Sequence, residues 1–354
     1  MLEVVLPEKS YEILIQRQAL NQVAGWIEQL WEEKRIAIIS DENVYPIYGE
    51  RVKQQLKEQY EVVHYIIPAG EKSKSLEMAA KLYDFLAEKQ FTRSDGVIAL
   101  GGGVVGDLAG FVASTYMRGI SFVQIPTSLL AQVDSSIGGK TAVNGSTAKN
   151  MIGTFAQPDG VLIDPETLKT LPQKRIQEGI AEIIKCGAIK DTSLWSDLAQ
   201  FTDIEDLLAH SESVIEKALR VKKEVVEEDQ FDQGSRLLLN FGHAIGHAVE
   251  HTAGYGEISH GEAVAIGMVQ MSRMAEKRSE MPKGITEQLI TMNRKYQLPI
   301  SYEPWNEQML YQAITHDKKA RGQNLKIILL EKIGQGKIQS IPIEKIKYYL
   351  EEGE

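Results

Sequence analysis

The first half of the chain alternates short apolar runs with longer segments in which apolar residues recur every three or four positions. The apolar runs predict buried strands at residues 11–17, 35–40, 61–68, 96–100 and 121–126. The periodic segments predict helices at residues 21–34 and 46–59, from the cap Ser75 to residue 90, and from the glycine run to about residue 117. This alternation predicts a mainly parallel sheet covered by helices, with ligands beyond the carboxyl ends of its strands.

The pattern changes near residue 172, where Pro165 and Pro172 interrupt the alternation. Beyond this point, helical periodicity predicts helices at residues 176–190, 204–228, 236–251, 261–277 and 286–296, with one late strand at 325–330. The sequence therefore predicts an α/β N-terminal domain with a mainly parallel sheet over residues 1–171. A mainly α-helical C-terminal domain is predicted over residues 172–354.

Composition and charge limit the class of partner. Among 354 residues, 39 are Lys or Arg and 49 are Asp or Glu, so the net charge of -10 argues against nucleic acid. The single cysteine, Cys186, allows no internal disulfide, as expected in a reducing compartment. The first residues lack the features of a signal peptide, and the most apolar stretch, 96–114, contains six glycines and Asp107. We therefore expect a cytoplasmic protein without a membrane partner.

Three separated segments contain candidate metal ligands, namely Glu182, His243 and His260. Two imidazoles and one carboxylate suit a divalent, zinc-like ion, and three protein ligands leave a fourth position for water or substrate. Zinc and cobalt suit this ligand set equally well. An open site of this kind indicates catalysis by a Lewis acid.

The spacing of the residues alone does not decide which of them bind the ion. His243 and His247 are four residues apart and share a helix face, so either could bind the ion, and so could His251. Glu182 lies on an apolar helix face, where a buried carboxylate needs a cation. Lys185, three residues later, could supply that cation as an ordinary ion pair without a metal.

The glycine run at residues 101–106 indicates a nucleotide site. It matches G-x-G-x-x-G between a strand and a helix, where backbone N–H groups can approach a diphosphate. Tight helix–sheet packing explains such a run equally well, and the run follows the fourth predicted strand rather than the first. Asp41 and Asn43, after an earlier strand, could bind ribose hydroxyls or simply cap a helix.

Six basic residues stand among small or apolar neighbours, unlike a solvated run of charge. They are Arg118, Lys140, Lys149, Lys185, Lys222 and Arg236. An acidic protein that keeps such cations is suited to bind a small anion, either a phosphate or a carboxylate. Scattered surface cations are the alternative for any single member.

Several blocks of the sequence together resemble the 3-dehydroquinate synthases. They are AQVDSSIGGKTAVN (131–144), KNMIGTF (149–155), AEIIKCG (181–187), LLNFGHAIGHAVE (238–250) and HGEAVAIGM (260–268), supported by GGGVVGD (101–107), YMRGI (116–120) and PTSLLA (126–131). The blocks run in the family's order over nearly the whole chain. The glycine run is shared with related polyol dehydrogenases.

The resemblance implies a homodimeric enzyme with an active site in the cleft between an NAD-binding domain and a helical domain that binds metal and substrate. The family converts 3-deoxy-D-arabino-heptulosonate 7-phosphate to 3-dehydroquinate and phosphate, in the second step of the shikimate pathway. The expected chemistry is transient oxidation by NAD, β-elimination of phosphate, re-reduction, ring opening and an internal aldol closure.

The resemblance also assigns residues to roles. It implies Glu182, His243 and His260 as ligands of one divalent metal (Zn²⁺ or Co²⁺), with His247 in the hydrogen-bond network. NAD contacts map to Asp41, Asn43, Glu71, Lys74, Gly102, Gly103, Val104, Asp107, Thr127, Ser128, Asp134, Lys140, Lys149 and Thr170. Substrate contacts map to Lys140, Lys149, Asn150, Lys185, Lys222, Arg236, Asn240 and one of Lys318 and Lys319. Arg118 is expected to reach the partner subunit's site.

The chain departs from the family pattern at three positions. Ala148 stands where the family usually has glycine, Asp232 stands where it commonly has glutamate, and Ser128 replaces a common threonine but retains the hydroxyl.

Three alternative functions remain. They are another sugar-phosphate cyclase, such as one that makes deoxy-inosose or valiolone rings, a metal-dependent polyol dehydrogenase, and a non-enzymatic binding module. The block at 135–144 favours dehydroquinate synthase over the other cyclases.

Overall fold

The chain divides between Leu171 and Pro172 into two units, Met1–Leu171 and Pro172–Glu354. The computed structural model describes residues 1–32, 35–146, 148–254, 257–316 and 323–352. The N-terminal unit contains a mainly parallel sheet with helices, and the C-terminal unit is mainly helical. The predicted fold class, an α/β unit followed by a mainly α-helical one, is therefore confirmed.

The N-terminal unit contains nine strands and four α-helices among its described residues. The strands are β1 (Leu2–Val5), β2 (Ser10–Ile15), β3 (Arg35–Asp41), β4 (Glu61–Ile67), β5 (Gly96–Gly101), β6 (Ser121–Pro126), β7 (Lys140–Val143), β8 (Ile152–Phe155) and β9 (Gly160–Ile163). The helices are α1 (Val23–Leu30), α2 (Glu50–Leu56), α3 (Leu76–Glu88) and α4 (Gly103–Thr115). Ser75 caps α3 as predicted, because its Oγ accepts the backbone N–H of Met78.

Seven of these strands form one sheet in the order β1-β2-β9-β6-β5-β3-β4. Only the β1–β2 pair of this sheet is antiparallel, and β7 and β8 form a separate antiparallel hairpin among the described residues. The chain leaves β3 toward β4 on one side and leaves β5 toward β6 on the other. The neighbouring strands β3 and β5 therefore form a topological switch point, where ligands of such sheets bind.

Two apolar clusters cover the two faces of the sheet. Ala37 and Ala99 lie in one cluster, whereas Ile38 and Ile98 lie in the other. Every residue of β5 is buried, which explains why its sequence is a continuous apolar run rather than an alternating one. Burial of each larger aliphatic side chain stabilises the sheet by about 2 kcal/mol, so the strand ends are held on a rigid support.

The two ends of the N-terminal unit are joined by long-range pairing. Strand β2 pairs in parallel with β9, where Ile13 lies opposite Val161. Asp164, directly after β9, accepts the backbone N–H groups of Gln18 (2.9 Å) and Leu20 (3.1 Å). Strand β2, near the start of the chain, therefore pairs with a strand 148 residues later, as 161 − 13 for Ile13 and Val161 shows.

The C-terminal unit contains eight α-helices and one hairpin among its described residues. The helices are α5 (Gln173–Ile189), α6 (Thr192–Gln200), α7 (Ile204–Ala209), α8 (Ser211–Glu228), α9 (His243–Ala253), α10 (His260–Lys277), α11 (Ile285–Lys295) and α12 (Glu307–His316). The strands β10 (Asn324–Lys332) and β11 (Gln335–Pro342) form the antiparallel hairpin. Within the part of the chain that the structure describes, no helix combines the length and the apolar character that a membrane span requires.

Two predicted helices differ from the observed ones. The segment predicted as one helix at 204–228 is divided at His210 into α7 and α8. The helix predicted at 236–251 begins only at His243. A 3-10 turn, Ser235–Asn240, comes first, and Gly242 then adopts φ +80°, which ends the turn and starts a new helix direction.

Candidate active site

Helix α5 places Glu182 inside the C-terminal unit. Every residue of α5 from Glu178 to Ile189 is buried, so polar side chains on this helix need partners within the protein. The Lys185 Nζ forms an ion pair with Glu182 Oε2 at the next turn. The sequence offered this ion pair as an alternative to a metal at Glu182. The ion pair engages one of the two carboxylate oxygens.

The second oxygen of Glu182 faces two imidazoles. Its Oε1 lies 3.6 Å from Nε2 of His243 and 3.4 Å from Nε2 of His260. These histidines are the first residues of α9 and α10, so three helices contribute one side chain each. The Oε1 atom is buried and makes no hydrogen bond of acceptable geometry within the described residues. A buried carboxylate oxygen with this surrounding suits a bound cation.

His247 completes a cluster of three imidazoles. Its ring centroid lies 5.3 Å from that of His243 and 5.7 Å from that of His260, and one nitrogen from each ring lies within 4.8 Å of the others. His251, the other candidate from spacing, is exposed and lies outside this cluster. The cluster thus brings four potential ligands together, of which Glu182 directly faces His243 and His260.

The outer nitrogens of these two rings also have partners. Nδ1 of His243 lies 3.2 Å from the carbonyl oxygen of Phe241. Nδ1 of His260 lies 3.6 Å from Oε2 of Glu250. Both rings therefore direct Nε2 toward Glu182, the orientation that metal-binding histidines usually have. Sequence reasoning missed Glu250, although it follows His243 by two helical turns and so shares its face.

The surroundings of the cluster favour the ionised form of Glu182 and the neutral form of His243. Burial alone would raise the pKa of Glu182, but Lys185 and then His243 hold this pKa well below its usual range. Burial, reinforced by Lys185, lowers the pKa of His243 well below its ordinary value. Burial would also lower the pKa of His260, yet the carboxylates of Glu182 and Glu250 raise it to about 10. Ionised carboxylate and neutral imidazole are the forms that bind metals.

The start of α10 is fixed against α5 and by its own cap. Ser259 Oγ accepts the N–H of Glu262, whose carboxylate accepts the N–H of Ser259 in return. A β-carbon on Gly261 would lie 2.4 Å from the Cα of Glu178, so only glycine permits this approach of the two helices. His260 is thereby held directly beside the helix that carries Glu182.

In the N-terminal unit, the glycine run lies at the switch point of the sheet. Strand β5 ends at Gly101, and α4 begins at Gly103, so the first N–H groups of α4 point beyond the carboxyl end of the strand. A β-carbon on Gly103 would lie 3.0 Å from Oγ of Ser135. A glycine-rich turn into a helix at a switch point is the site that dinucleotides use in such sheets.

Asp41 forms a turn at the end of β3. Its Oδ1 accepts the backbone N–H groups of Asn43 and Val44, each at 2.9 Å. This is the capping role that the sequence left open beside ribose binding. The turn fixes Asp41 and Asn43 at the strand end that neighbours the glycine run.

Four predicted contact residues are joined to one another near the same strand ends. Lys74 is buried, and its Nζ lies 2.5 Å from both Asp107 Oδ2 and Asn150 Oδ1. Glu71 accepts a hydrogen bond from Asn144 Nδ2 at 2.8 Å. Asn144 also donates its N–H to the carbonyl of Lys74. Sequence reasoning did not single out Asn144, which links these groups.

The remaining predicted contacts of the N-terminal unit lie on turns, at strand starts or at a helix start. Thr127 and Ser128 follow β6, Asp134 lies in the π-helical turn Ala131–Ser135, and Lys140 begins β7. Val104 lies in the first turn of α4, whereas Gly102, Lys149 and Arg118 lie in turns. Thr170 Oγ1 lies 2.7 Å from the hydroxyl of Tyr48. Lys140 and Arg118 are exposed, and Lys149 is half-buried.

Three predicted basic residues of the C-terminal unit are buried, namely Lys185, Lys222 and Arg236. They are therefore not scattered surface cations. Arg236 donates from Nη1 to the carbonyl of Gln230 at 2.7 Å, and its backbone N–H bonds to Asp229 Oδ2 at 3.2 Å. A buried guanidinium is suited to bind an anion.

The other predicted residues of the C-terminal unit are more exposed or lie outside the described residues. Asn240 is exposed at the end of the 3-10 turn. Lys318 and Lys319 lie outside the described residues. Asp232, a departure from the family pattern, adopts φ +62°, a conformation that aspartate tolerates better than most residues. Ala148, another departure, belongs instead to the N-terminal unit, where its carbonyl oxygen accepts the N–H of Gly145 at 3.0 Å within a turn.

Comparison with known proteins identifies the family of both units. The model of the 3-dehydroquinate synthase N-terminal domain matches residues 64–178, and the C-terminal domain model matches residues 179–320. A 3-dehydroquinate synthase of Enterococcus faecalis is 58% identical over 350 residues, which cover 99% of this chain and 98% of that protein.

Two solved structures share the fold. A 2-epi-5-epi-valiolone synthase from Streptomyces hygroscopicus, with NAD⁺ and Zn²⁺ bound, has a TM-score of 0.87 and 29% identity over 98% of this chain and 97% of that one. A 2-deoxy-scyllo-inosose synthase has a TM-score of 0.89 and 24% identity over 99% of each chain. Both family models and the close relative lead to one conclusion: the chain belongs to the 3-dehydroquinate synthase family.

Proposed function

We propose that this protein converts 3-deoxy-D-arabino-heptulosonate 7-phosphate to 3-dehydroquinate and phosphate. The observation that carries the proposal is the buried Oε1 of Glu182, which faces Nε2 of both His243 and His260. Family membership supplies the reaction, and this cluster supplies a place for the ion that the reaction needs. The valiolone synthase that binds NAD⁺ and Zn²⁺ supports the same pair of cofactors here.

Glu182, His243 and His260 would hold one divalent ion, Zn²⁺ or Co²⁺, and the glycine turn before α4 would hold NAD. When bound, the ion supplies Lewis acidity and NAD accepts and returns a hydride. Lys185 neutralises the outer oxygen of Glu182, so the carboxylate stays ionised in a buried place. We assign His247, which stands beside both histidine ligands, to proton transfer together with Lys140.

The remaining role of the chain is to hold a substrate with two anionic groups. Lys222 and Arg236 are buried cations that bind a phosphate or a carboxylate more strongly than exposed ones, because little water competes with them. The family resemblance also assigns polar contacts with the substrate to Asn150, Asn240 and Lys149. These groups orient the substrate and exclude water while the proton and the hydride are transferred.

We further propose that the protein is a homodimer and that Arg118 reaches the partner subunit's site. Arg118 is exposed, and it follows Met117 in a tight turn where both residues have positive φ, +51° and +68°. Each such residue costs about 1–2 kcal/mol, a strain that is often found where a side chain serves a function. The exposed Met117 adds apolar surface beside the arginine.

The test of the reaction is to mix the protein with the heptulosonate phosphate, a catalytic amount of NAD and zinc. Release of phosphate and the absorbance of NADH are then followed together. Phosphate release without accumulation of NADH, and its loss when a chelator is added, is the expected result. Steady production of NADH without phosphate would instead identify a polyol dehydrogenase. Turnover of glucose 6-phosphate or sedoheptulose 7-phosphate in its place would identify another cyclase.

Complementation of two inactive variants tests the role of Arg118. We expect Arg118→Ala and His243→Ala, co-expressed with different tags, to form mixed dimers with one complete site each. A mixed population should then regain about a quarter of the wild-type activity, because half of the dimers are mixed. If Arg118 served its own subunit, no site in a mixed dimer would be complete and no activity would return.

A further inference from the structure

The His260 imidazole lies between two carboxylates. On its inner side, Nε2 is 3.4 Å from Oε1 of Glu182. On its outer side, Nδ1 is 3.6 Å from Oε2 of Glu250. The side chains of Glu250 and His260 are 17% and 29% exposed, so solvent screens this outer contact only in part.

The position of Glu250 follows from the packing of α9 on α10. Glu250 lies seven residues after His243, so two helical turns bring it to the same face of α9. That face packs on α10, which begins at His260. One helix thus supplies a candidate ligand at its first turn and a carboxylate for another ligand at its third turn.

The two candidate histidine ligands differ in what their outer nitrogens meet. His243 directs Nδ1 at the neutral backbone carbonyl of Phe241, 3.2 Å away. His260 directs Nδ1 at the charged carboxylate of Glu250. A carboxylate beside the outer nitrogen fixes which tautomer is present. It also makes the inner nitrogen a stronger donor to a metal than a backbone carbonyl in the same place would.

We propose that Glu250 is a positioning residue for His260, which keeps the proton on Nδ1 and leaves Nε2 free to bind the metal. The inference rests on the proposed metal site. Glu250 would also add a negative charge near the bound ion, where Lys185 already neutralises one oxygen of Glu182. Loss of that charge weakens retention of the ion even if the fold is unchanged.

A structural role alone would give a different result. The capping box of Ser259 and Glu262 and the contact at Gly261 already fix the backbone of His260. If Glu250 only filled space between α9 and α10, its isosteric amide would serve as well. The comparison of Glu250→Gln with the wild type therefore separates charge and tautomer from shape.

The experiment measures the affinity for Zn²⁺ by competition with a chromophoric chelator, with the metal-free full-length protein as the starting point. We expect Glu250→Gln to bind Zn²⁺ about 10–100-fold more weakly than the wild type, and Glu250→Asp to recover part of the loss. Glu257→Gln is the matched control, because it removes the same charge from an exposed position three residues before His260. Its affinity should remain within about 2-fold of the wild type.

A second readout follows the ligand field rather than the affinity. The visible spectrum of the Co²⁺-loaded protein should change in Glu250→Gln and not in Glu257→Gln, while both metal-free variants keep the circular dichroism of the wild type. Equal affinity and equal spectra for Glu250→Gln and the wild type would overturn the role of Glu250 and leave the metal site standing. A wild-type protein that binds no stoichiometric Zn²⁺ or Co²⁺ would overturn both.

Discussion

Gly267 of α10 lies against the backbone of Gly242, so closely that a β-carbon on Gly267 would be 2.0 Å from the carbonyl oxygen of Gly242. Gly242 immediately precedes His243, and α10 begins with His260. Since no side chain separates the two helices here, the backbone contact itself sets the distance between the two candidate ligands.

We therefore expect Gly267→Ala to weaken both folding and metal binding. The new methyl group cannot be accommodated by a side-chain rotation, because the atoms it meets belong to the backbone. The free energy of unfolding of the metal-free protein should fall by about 1–3 kcal/mol, as measured by urea denaturation. Affinity for Zn²⁺ should fall as well, because α9 and α10 must move apart.

Gly25→Ala provides the control for this substitution. Gly25 lies in α1, and a β-carbon there would meet no atom within 4 Å. The substitution should increase stability by about 0.5–1 kcal/mol, because alanine favours the helix. Equal effects of the two substitutions would contradict the packing argument.

Replacement of single histidines should separate the ligands from their neighbour. We expect His243→Ala to lose stoichiometric zinc and turnover together, because Glu182 Oε1 then faces only one imidazole. His247→Ala should retain zinc and lose much of its turnover, because His247 is assigned to proton transfer. Metal analysis and activity on the same samples give the answer. Full activity with stoichiometric zinc in His243→Ala would refute the ligand assignment.

The ion pair of Lys74 and Asp107 should be important for the stability of the N-terminal unit. Asp107→Ala leaves the buried ammonium of Lys74 beside the neutral amide oxygen of Asn150, which should cost roughly 3 kcal/mol. The affinity for NAD should fall too, because Asp107 lies in the first turns of α4. Denaturation and NAD titration measure the two effects separately.

An exposed pair gives the reference for that change. Glu77 and Lys81 form an ion pair at 2.8 Å on the surface of α3. Glu77→Ala should change the free energy of unfolding by no more than about 0.5 kcal/mol, since water screens exposed pairs. If Asp107→Ala were equally mild, burial of Lys74 would not determine the strength of the pair.

Asp229 should make the stability of the loop before Arg236 depend on pH. Burial tends to raise the pKa of Asp229, but the backbone N–H groups of Gln233, Gly234 and Arg236 hold it below its usual value. A carboxylate with a lowered pKa stabilises the folded state above its unfolded pKa. This contribution is lost as the pH falls through the lower, folded pKa.

The expected result is a stability difference that depends on pH. At neutral pH, Asp229→Asn should be less stable than the wild type by about 1–2 kcal/mol, because one accepting oxygen becomes a donor. The difference should shrink as the pH falls below the usual range of aspartate. Urea denaturation at several pH values measures it, and a constant difference would show that ionisation of Asp229 plays no part.

The sequence predicted those strands whose apolar pattern is local. Strands β3 and β5 are covered on both faces, so their burial appears directly as an apolar run. The four-residue strands β1 and β9 were missed, because so few residues carry too little pattern, and β9 also depends on a partner far along the chain, β2. The start of α9 was misplaced, because the conformation of Gly242 depends on its contact with α10.

The sequence predicted the types of residue in the candidate site, but it could not decide which of several equivalent residues belongs there. Spacing placed His243, His247 and His251 on one helix. In the structure, His251 lies exposed outside the cluster, and Glu182 from α5 approaches His243. Glu250 was missed for the same reason, since its partner His260 lies on another helix. The ligand choice made through family resemblance agrees with this geometry and remains a prediction until metal binding is measured.

The pairing of β2 with β9 has a consequence for synthesis of the chain on the ribosome. The N-terminal unit cannot close its sheet until residue 163 has emerged, which takes on the order of ten to thirty seconds at usual rates of translation. During that interval β2 and β6 both present open edges, which can pair with other chains. The nascent protein is therefore most prone to aggregation in the moments before its ninth strand appears, and chaperone demand should peak there.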